Sequence, residues 1–281
     1  MTSCAPSWPR PERTVIEPFW LPGCQGVLYA LYYPPATGTP RAAVLCVPPF
    51  AEEMNKARRM QALQARQLAA AGFGVLIADP YGTGDSAGEF EAARWDDWRA
   101  DLLMQARWLH DRGHGTVLPW GVRLGALLAT ELAAELAAPR LLLWQPVSDG
   151  GQYLRQFLRL RLAAERLKGS SETLDGLQAL LAAGQSVEVA GYMLHPQLAA
   201  AMAQARLQRP VAGLRVDWFE LASDPARGLA PLSTRLVADW RQHGVAVEAQ
   251  RVQGDPFWAT QEISCAPALL AATVAALTGG A

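Results

Sequence analysis

The sequence lacks a charge imbalance, a long apolar run and a secretory leader. In the 281-residue chain, 25 Lys and Arg residues balance 26 Asp and Glu residues, giving a formal net charge of -1 and a pI near 6.4. Proteins that neutralise nucleic-acid phosphates need excess positive charge, so we expect no nucleic-acid partner. The first residues, MTSCAPSWPRPERT, contain no apolar core, and no later run is long enough to span a bilayer. We therefore expect a cytoplasmic protein without a transmembrane segment.

Cysteine and histidine are also scarce. The cysteines are Cys4, Cys24, Cys46 and Cys265, which lie far apart and form no C-x-x-C pair. This spacing argues against a zinc site or a redox motif. Cys46 lies in an apolar run and is expected to be a buried, inert thiol. We expect neither a metal ion nor a cofactor.

Strand-like and helix-like segments alternate along most of the chain. This pattern predicts an α/β fold with a mostly parallel central sheet, antiparallel first strands and helices on both faces. A composition that is 51% hydrophobic and 18% charged supplies the core of one domain. The predicted strands are 26–33, 42–47, 74–78, 116–121, 141–145, 216–222 and 245–252. The predicted helices are 56–71, 95–110, 124–138, 229–243 and one that follows Pro267.

The alternation stops between about residues 150 and 210, where only helical periodicity is found. This predicts a helical cap, 150–210, over the carboxyl edge of a core formed by 1–149 and 211–281. Residues 153–168 predict a basic amphipathic helix. Its cationic residues are Arg155, Arg159, Arg161, Arg166 and Lys168. We interpret this face as solvated, and weak contact with an anionic membrane surface is the alternative.

The most informative motif is Gly121-Val122-Arg123-Leu124-Gly125, which joins a predicted strand to a predicted helix. At such a junction, the pattern G-x-S-x-G holds a nucleophilic serine on a sharp turn above the sheet. Here Arg123 takes the position of the serine. A guanidinium group stays protonated in a protein and cannot attack a carbonyl carbon. The motif therefore predicts the turn without its nucleophile.

The other positions of a Ser-His-Asp triad are only partly filled. The triad needs an acid after the seventh strand and a histidine after the eighth. Asp224 fills the acid position, but residues 254–258 contain no histidine. Only His195, in the predicted cap, is expected to approach the site. The remaining histidines, His110, His114 and His243, are expected at the opposite edge of the sheet. The loop serines Ser86 and Ser148 are expected to satisfy backbone groups.

Candidate binding residues follow the predicted strands at the carboxyl edge of the sheet, where open α/β sheets bind ligands. At these loop positions a hydrolase places two amide donors for an oxyanion, one from the loop after Val47 and the other from Leu124. The candidate set is Phe50, Ala51, Glu52, Glu53, Arg123, Leu124, Gln145 and Asp255. The charges of Glu52, Glu53, Arg58 and Arg59 are first interpreted as a solvated helix N-terminus.

Arg123 needs a negative partner, because a cation at a helix N-terminus opposes the helix dipole. The carboxylates within reach along the carboxyl edge are Glu52, Glu53, Asp79 and Asp224, of which Glu53 and Asp224 are the leading candidates. The other option is an anionic ligand, whose carboxylate or phosphate Arg123 would bind in a bidentate manner. The sequence is equally compatible with a closed ion pair and with an open site.

Five segments together resemble the α/β-hydrolase superfamily and, more closely, the second of the two exosortase A system-associated hydrolase families. They are PPFAEEMNKARRM, DPYGTGDSAGEF, WGVRLGALLA, LWQPVSDGGQYLRQFLRLRLA and GDPFWATQEI. The resemblance implies the α/β-hydrolase fold and a genomic context of exopolysaccharide production and envelope protein sorting. It also implies that arginine at the turn is the pattern of that family. The hydrolase label of the family is inferred from its fold.

Two functions remain open from the sequence. The first is a pseudoenzyme or binding module for a small anionic or acylated ligand. The second is an ester or acyl hydrolase without a serine nucleophile, in which Asp79, Asp224, Glu52 or Glu53 activates a water molecule. A general base should stand unpaired in the pocket with a raised pKa, so the partners of these carboxylates distinguish the two hypotheses.

Overall fold

The computed structural model describes residues 15–36, 42–166 and 171–279, so Cys4 and Lys168 lie outside the described residues. The strands are β1 (Glu17–Pro22), β2 (Val27–Tyr33), β3 (Ala43–Val47), β4 (Gly74–Ala78), β5 (Val117–Val122), β6 (Arg140–Trp144), β7 (Val187–Val189), β8 (Tyr192–Leu194), β9 (Arg215–Ala222) and β10 (Ala246–Gln253). The α-helices are α1 (Glu52–Ala70), α2 (Trp95–Asp111), α3 (Gly125–Glu135), α4 (Gly150–Arg166), α5 (Leu174–Ala182), α6 (Pro196–Gln204), α7 (Pro231–Gln242) and α8 (Pro267–Thr278).

Eight of the described strands form one sheet in the order β1-β2-β4-β3-β5-β6-β9-β10. β1 pairs with β2 and β2 pairs with β4 in antiparallel orientation, and all other pairs in this sheet are parallel. The mostly parallel sheet with antiparallel first strands is therefore confirmed. The carboxyl ends of β3, β5 and β6 lie side by side, which brings the loops after them together.

Helices cover both faces of the sheet, as the alternation predicts. In β3, Ala43, Leu45 and Val47 pack in one core with residues of α2, α3 and α7, while Val44 and Cys46 pack in a second core with residues of α1 and α8. Side chains of a strand alternate between faces, so a fully apolar strand such as β3 needs cover on both sides. Burial raises the pKa of the Cys46 thiol, as expected for an inert cysteine.

The sequence did not predict β1, and it placed the start of α1 too late. β1 has proline at its second and last positions, and it pairs only with β2 at the edge of the sheet, where proline is tolerated. α1 begins at Glu52 instead of residue 56, because the loop closes into the helix directly after Phe50, whose carbonyl accepts from the Glu53 amide at 3.1 Å. This earlier start places Glu52 and Glu53 in the first turn of α1.

The segment between β6 and β9 contains α4, α5 and α6, as the helical periodicity predicts, and also the antiparallel hairpin β7–β8. The expectation that this segment contains no strand is therefore wrong. Each strand has three residues, which is too short for an alternation pattern to be detected in the sequence. Ala190 and Gly191 form the turn, with φ of 50° and 85°, the backbone signs that a two-residue hairpin turn needs.

Candidate functional site

The turn between β5 and α3 is built by glycine. A Cβ atom on Gly121 would lie 2.5 Å from the Cα atom of Ala126, and one on Gly125 would lie 2.4 Å from the carbonyl oxygens of Val47 and Pro48. Only glycine therefore lets α3 pack this closely against β5 and against the loop after β3. The turn holds Arg123 with φ of 56° at the carboxyl edge of the sheet, which is the architecture expected from the G-x-R-x-G motif.

Backbone strain is concentrated at the same edge. Ala51, Arg123 and Gln145 follow β3, β5 and β6, and their φ angles are 51°, 56° and 42°. Positive φ costs a non-glycine residue of order 1 to 3 kcal/mol and persists where the surrounding structure enforces it, often at binding sites. Three such residues on neighbouring strands mark this edge as the candidate site.

Arg123 forms an ion pair with Glu53 of α1. Its Nη2 donates to Oε1 at 3.0 Å and its Nε donates to Oε2 at 3.2 Å. The side chains of Arg123 and Glu53 are only 15% and 20% exposed. The planar guanidinium group and the carboxylate thus meet in the bidentate geometry that makes such pairs strong. Of the two leading candidates for the partner of Arg123, Glu53 is confirmed.

Two aromatic side chains complete this arrangement. The guanidinium carbon of Arg123 lies 4.8 Å from the ring centre of Trp258 and 5.9 Å from that of Tyr153. Trp258 belongs to the segment after β10, where a triad would place its histidine. Burial, followed by the negative charge of Glu53, raises the pKa of Tyr153 well above its usual value. We call Glu53, Arg123, Tyr153 and Trp258 the elbow cluster.

The other candidate carboxylates do not reach Arg123. Asp79 is buried and accepts from both terminal nitrogens of Arg58, at 2.8 and 3.0 Å. Asp224 was the second leading candidate, and that expectation is wrong. It lies on the exposed loop after β9, caps the next turn through the Ala226 amide and pairs with Arg227. The loop turns outward at this point, so the acid faces solvent.

Glu52 is the exception among the four candidate carboxylates. It lies next to Glu53 and is half-buried, and within the described residues its contact is a hydrogen bond from the Asn55 amide at 3.5 Å. It lines a groove of about 130 Å³ above the elbow cluster. The groove is formed by Phe50, Glu52, Glu53, Tyr153, Gln156, Phe157 and Leu160. The interpretation of a solvated N-terminus therefore fails for Glu53 and Arg58, which are paired, while Arg59 is exposed.

The remaining predicted residues have structural contacts. Gln145 bridges β6 to β9, because its side-chain oxygen accepts from the Leu221 amide at 2.8 Å. Asp255 is exposed on the loop after β10. His195 caps α6 by accepting from the Gln197 amide at 3.1 Å, so its Nδ1 faces its own helix. Ser86 bonds with backbone groups of Tyr29 and Asp79, and the Ser148 carbonyl accepts from Leu207.

Two amides beside the elbow cluster have no acceptor. Ala51 and Leu124 are 2% and 3% exposed, and among the described residues their N–H groups donate to no other group. Both residues line one cavity of about 40 Å³, which we call the inner cavity. Its apolar walls come from the loop after β3, from α2 and from the start of α3. Buried N–H groups without an acceptor are rare, so this pair is suited to receive an oxygen atom of a ligand.

Two polar residues of the inner cavity were not predicted from the sequence. Asp101 and Gln105 lie one turn apart on α2 and are 1% and 4% exposed. One carboxylate oxygen of Asp101 accepts from the Cys24 amide at 2.8 Å, and the other has no partner in the described part of the chain. Their spacing of four residues on the apolar face of an amphipathic helix was the available signal, because such positions are normally apolar.

Replacing Asp101 with Asn should remove a pH dependence of stability. Burial raises the pKa of Asp101, and the charge of Asp97 adds to the shift. Between the ordinary and the raised pKa, the folded state binds the proton and the unfolded state does not, so stability falls as pH rises through this window. The difference in free energy of unfolding between Asp101→Asn and the wild type should therefore shift in favour of the variant as pH rises, by at most about 1.4 kcal/mol per pH unit. Urea unfolding at several pH values measures it, and a constant difference would contradict the prediction.

The arginine face of α4 lies apart from this edge. Arg155, Arg159 and Arg166 are exposed, and Arg161 donates to Glu172 at 2.8 Å. Across the described ranges, no helix is long and apolar enough to cross a membrane.

Residues 26–152 match the profile of the X-Pro dipeptidyl-peptidase (S15) family. No curated protein matches the sequence significantly. The chain is similar to solved structures of Est1E from Butyrivibrio proteoclasticus with bound ferulic acid (TM-score 0.63, 14% identity, covering 93% of this chain and 96% of that one). It is also similar to XC6422 from Xanthomonas campestris, an α/β serine hydrolase without a lid (TM-score 0.56, 16% identity, covering 98% and 95%).

A third similar structure is a highly thermostable carboxyl esterase from Bacillus coagulans in complex with glycerol (TM-score 0.60, 15% identity, covering 94% and 98%). Identities this low show a common fold and not a common activity. Together with the strand order and the turn at Arg123, they show that the chain has the α/β-hydrolase fold expected from the sequence.

Proposed function

We propose that this chain, with its α/β-hydrolase fold, is a degenerate hydrolase that binds an acylated ligand and does not cleave it. The amides of Ala51 and Leu124 receive the carbonyl oxygen of the ligand. We further propose a division into a core, 1–149 and 211–281, and a cap, 150–210. We also propose a cytoplasmic location and a role in exosortase-associated exopolysaccharide systems. The role in exosortase-associated systems is supported by the sequence resemblance.

The observation that carries this proposal is the contrast between the elbow cluster and the amide pair. Arg123 occupies the position of the nucleophile, and the indole of Trp258 stands where a triad would place its imidazole. Neither side chain is a nucleophile or a base at neutral pH. The amides of Ala51 and Leu124, at the positions of oxyanion donors, nevertheless have no acceptor among the described residues. Loss of the nucleophile with retention of the donors supports binding without covalent catalysis.

An acylated ligand fits the site better than an anion bound by Arg123. The charge of Arg123 is already compensated by Glu53, and the pair is mostly buried. An anion at Arg123 would have to displace Glu53 and leave that carboxylate without its cation, at a cost of several kcal/mol. A neutral carbonyl group on the two amides needs no such exchange.

A hydrolase without a serine nucleophile is the second candidate, and one observation favours it. Glu52 has no cationic partner among the described residues and lines the groove above the elbow cluster. It is therefore the one candidate carboxylate placed to activate a water molecule. If the protein hydrolyses acyl esters through this group, Glu52→Gln should lower the rate by about 10²- to 10⁴-fold, the usual contribution of a general base.

The protein should not react with fluorophosphonate probes and should not hydrolyse short acyl esters above background. The reason is the absence of a serine at the turn and of a histidine after β10, which removes the covalent path. Labelling is measured by intact-protein mass spectrometry, with an active serine hydrolase as the positive control. Stoichiometric labelling of Ser86, Ser148 or another residue would overturn the proposal of a non-catalytic site.

Binding of a simple acyl compound should be visible at the two amides. In a titration with propionamide, followed by ¹H–¹⁵N NMR, the resonances of Ala51 and Leu124 should shift in a saturable way because their N–H groups gain an acceptor. Inorganic phosphate should leave both resonances in place, since its natural partner Arg123 is bound to Glu53. Saturable shifts with phosphate and none with propionamide would show that the site binds anions instead.

A further inference from the structure

The lining of the inner cavity is mostly apolar but includes the polar side chains of Asp101 and Gln105. Asp101 and Gln105 are both more than nine-tenths buried and both line the cavity. Among the described residues, one oxygen of Asp101 is fully buried and has no hydrogen-bond partner. The side chain of Gln105 forms no hydrogen bond with the described residues, although its polar atoms are not fully buried. The indole N–H of Trp98, which also lines the cavity, is already used, because it donates to the Tyr81 carbonyl at 3.0 Å.

The fully buried, unpaired oxygen of Asp101 is unfavourable for the fold. A buried polar group without a partner costs about 1 to 3 kcal/mol, and apolar side chains of the same size would avoid that cost. Within the described part of the chain, no backbone or side-chain group bonds to the Gln105 amide, so no contact there requires a polar side chain. The geometry therefore points to a partner from outside the chain.

The size of the cavity limits this partner to a small group. A volume of about 40 Å³ corresponds to roughly three water-sized groups, at about 10 to 15 Å³ for each. An acyl chain of two or three heavy atoms fits, with its carbonyl oxygen on Ala51 and Leu124. The terminal atom of such a chain would then lie among the other lining side chains, which include Asp101 and Gln105.

We propose that the inner cavity selects a short acyl group that carries a terminal hydroxyl, through hydrogen bonds to Asp101 and Gln105. This inference rests on the proposed function, because the same amide pair positions the acyl group. A hydroxyl both donates and accepts, so it pairs with the free carboxyl oxygen of Asp101 and with the amide of Gln105 at once. A terminal methyl group would leave both side chains unpaired.

Glycolamide and propionamide test this selectivity, because they differ only in a terminal hydroxyl against a methyl group. In titrations followed by ¹H–¹⁵N NMR, glycolamide should bind about 3- to 10-fold more tightly than propionamide, the value of one net hydrogen bond. Gln105→Leu should abolish or reverse this preference. Gln64→Leu is the matched control. It removes a buried glutamine whose amide has no partner among the described residues, but Gln64 lies on α1 and does not line the inner cavity. This variant should keep the preference.

The outcomes separate the two proposals. If both compounds shift Ala51 and Leu124 with equal affinity, or if Gln105→Leu leaves the preference unchanged, the inference is wrong while the acyl-binding function stands. If neither compound shifts these two resonances, the proposed function and the inference both fail.

Discussion

Arg123→Ala should lower the free energy of unfolding by about 2 to 4 kcal/mol. Removing one partner of a buried ion pair typically costs about 3 to 5 kcal/mol, and an exposed pair is worth about 1 kcal/mol or less. The side chains of the Arg123–Glu53 pair are 15% and 20% exposed, so the cost of removing Arg123 should be close to that for a buried pair. The substitution also removes the contact with Trp258. Urea unfolding followed by tryptophan fluorescence measures the change.

A double-mutant cycle with Glu53→Gln shows whether the loss comes from the pair. If it does, the double variant should be clearly less destabilised than the sum of the single variants. Arg58→Ala is a useful comparison, because Arg58 lies on the same helix as Glu53 and its ion pair with Asp79 does not involve the elbow cluster. Strictly additive effects of Arg123→Ala and Glu53→Gln would show that Arg123 is held by other contacts.

Gly125→Ala should destabilise the protein by about 3 kcal/mol or more. The added methyl group would lie 2.4 Å from the carbonyl oxygens of Val47 and Pro48. These are backbone atoms, so they cannot move aside as the end of a flexible side chain would, and overpacking of this kind costs about 1 to 3 kcal/mol even where atoms can shift. The loop that carries Ala51 would be displaced, so the amide pair should also lose its response to propionamide. Unfolding and the NMR titration measure both effects.

Gly115→Ala is the matched control for this substitution. Gly115 precedes β5 on the same chain segment, its φ is not in the left-handed region, and a Cβ atom there would meet nothing within 4 Å. Its effect should stay within about 0.5 kcal/mol of the wild type. Equal effects at the two positions would show that α3 and the loop after β3 do not need their close contact.

Features that depend on neighbouring residues could be predicted from the sequence. The strand and helix periods placed most elements of the sheet and its covering helices, with shifts of a few residues at their ends. The glycines at 121 and 125 predicted a tight turn because the steric limits of a residue act within its own few bonds and its closest neighbours. Features without a local signal were missed, as the β7–β8 hairpin shows, because three-residue strands have no measurable period.

The composition of the site depended on partners far apart in the chain. The sequence alone determined that Arg123 cannot be a nucleophile, because this follows from the chemistry of one side chain. It could not decide between Glu53 and Asp224, since loop conformations after β3 and β9 settle which carboxylate turns inward. The same holds for Trp258, which reaches Arg123 from the far end of the chain, and for Asp101 and Gln105. Asp101 and Gln105 line a cavity only because α2 packs against the loop after β3. Burial depends on contacts between distant elements, which the sequence does not show.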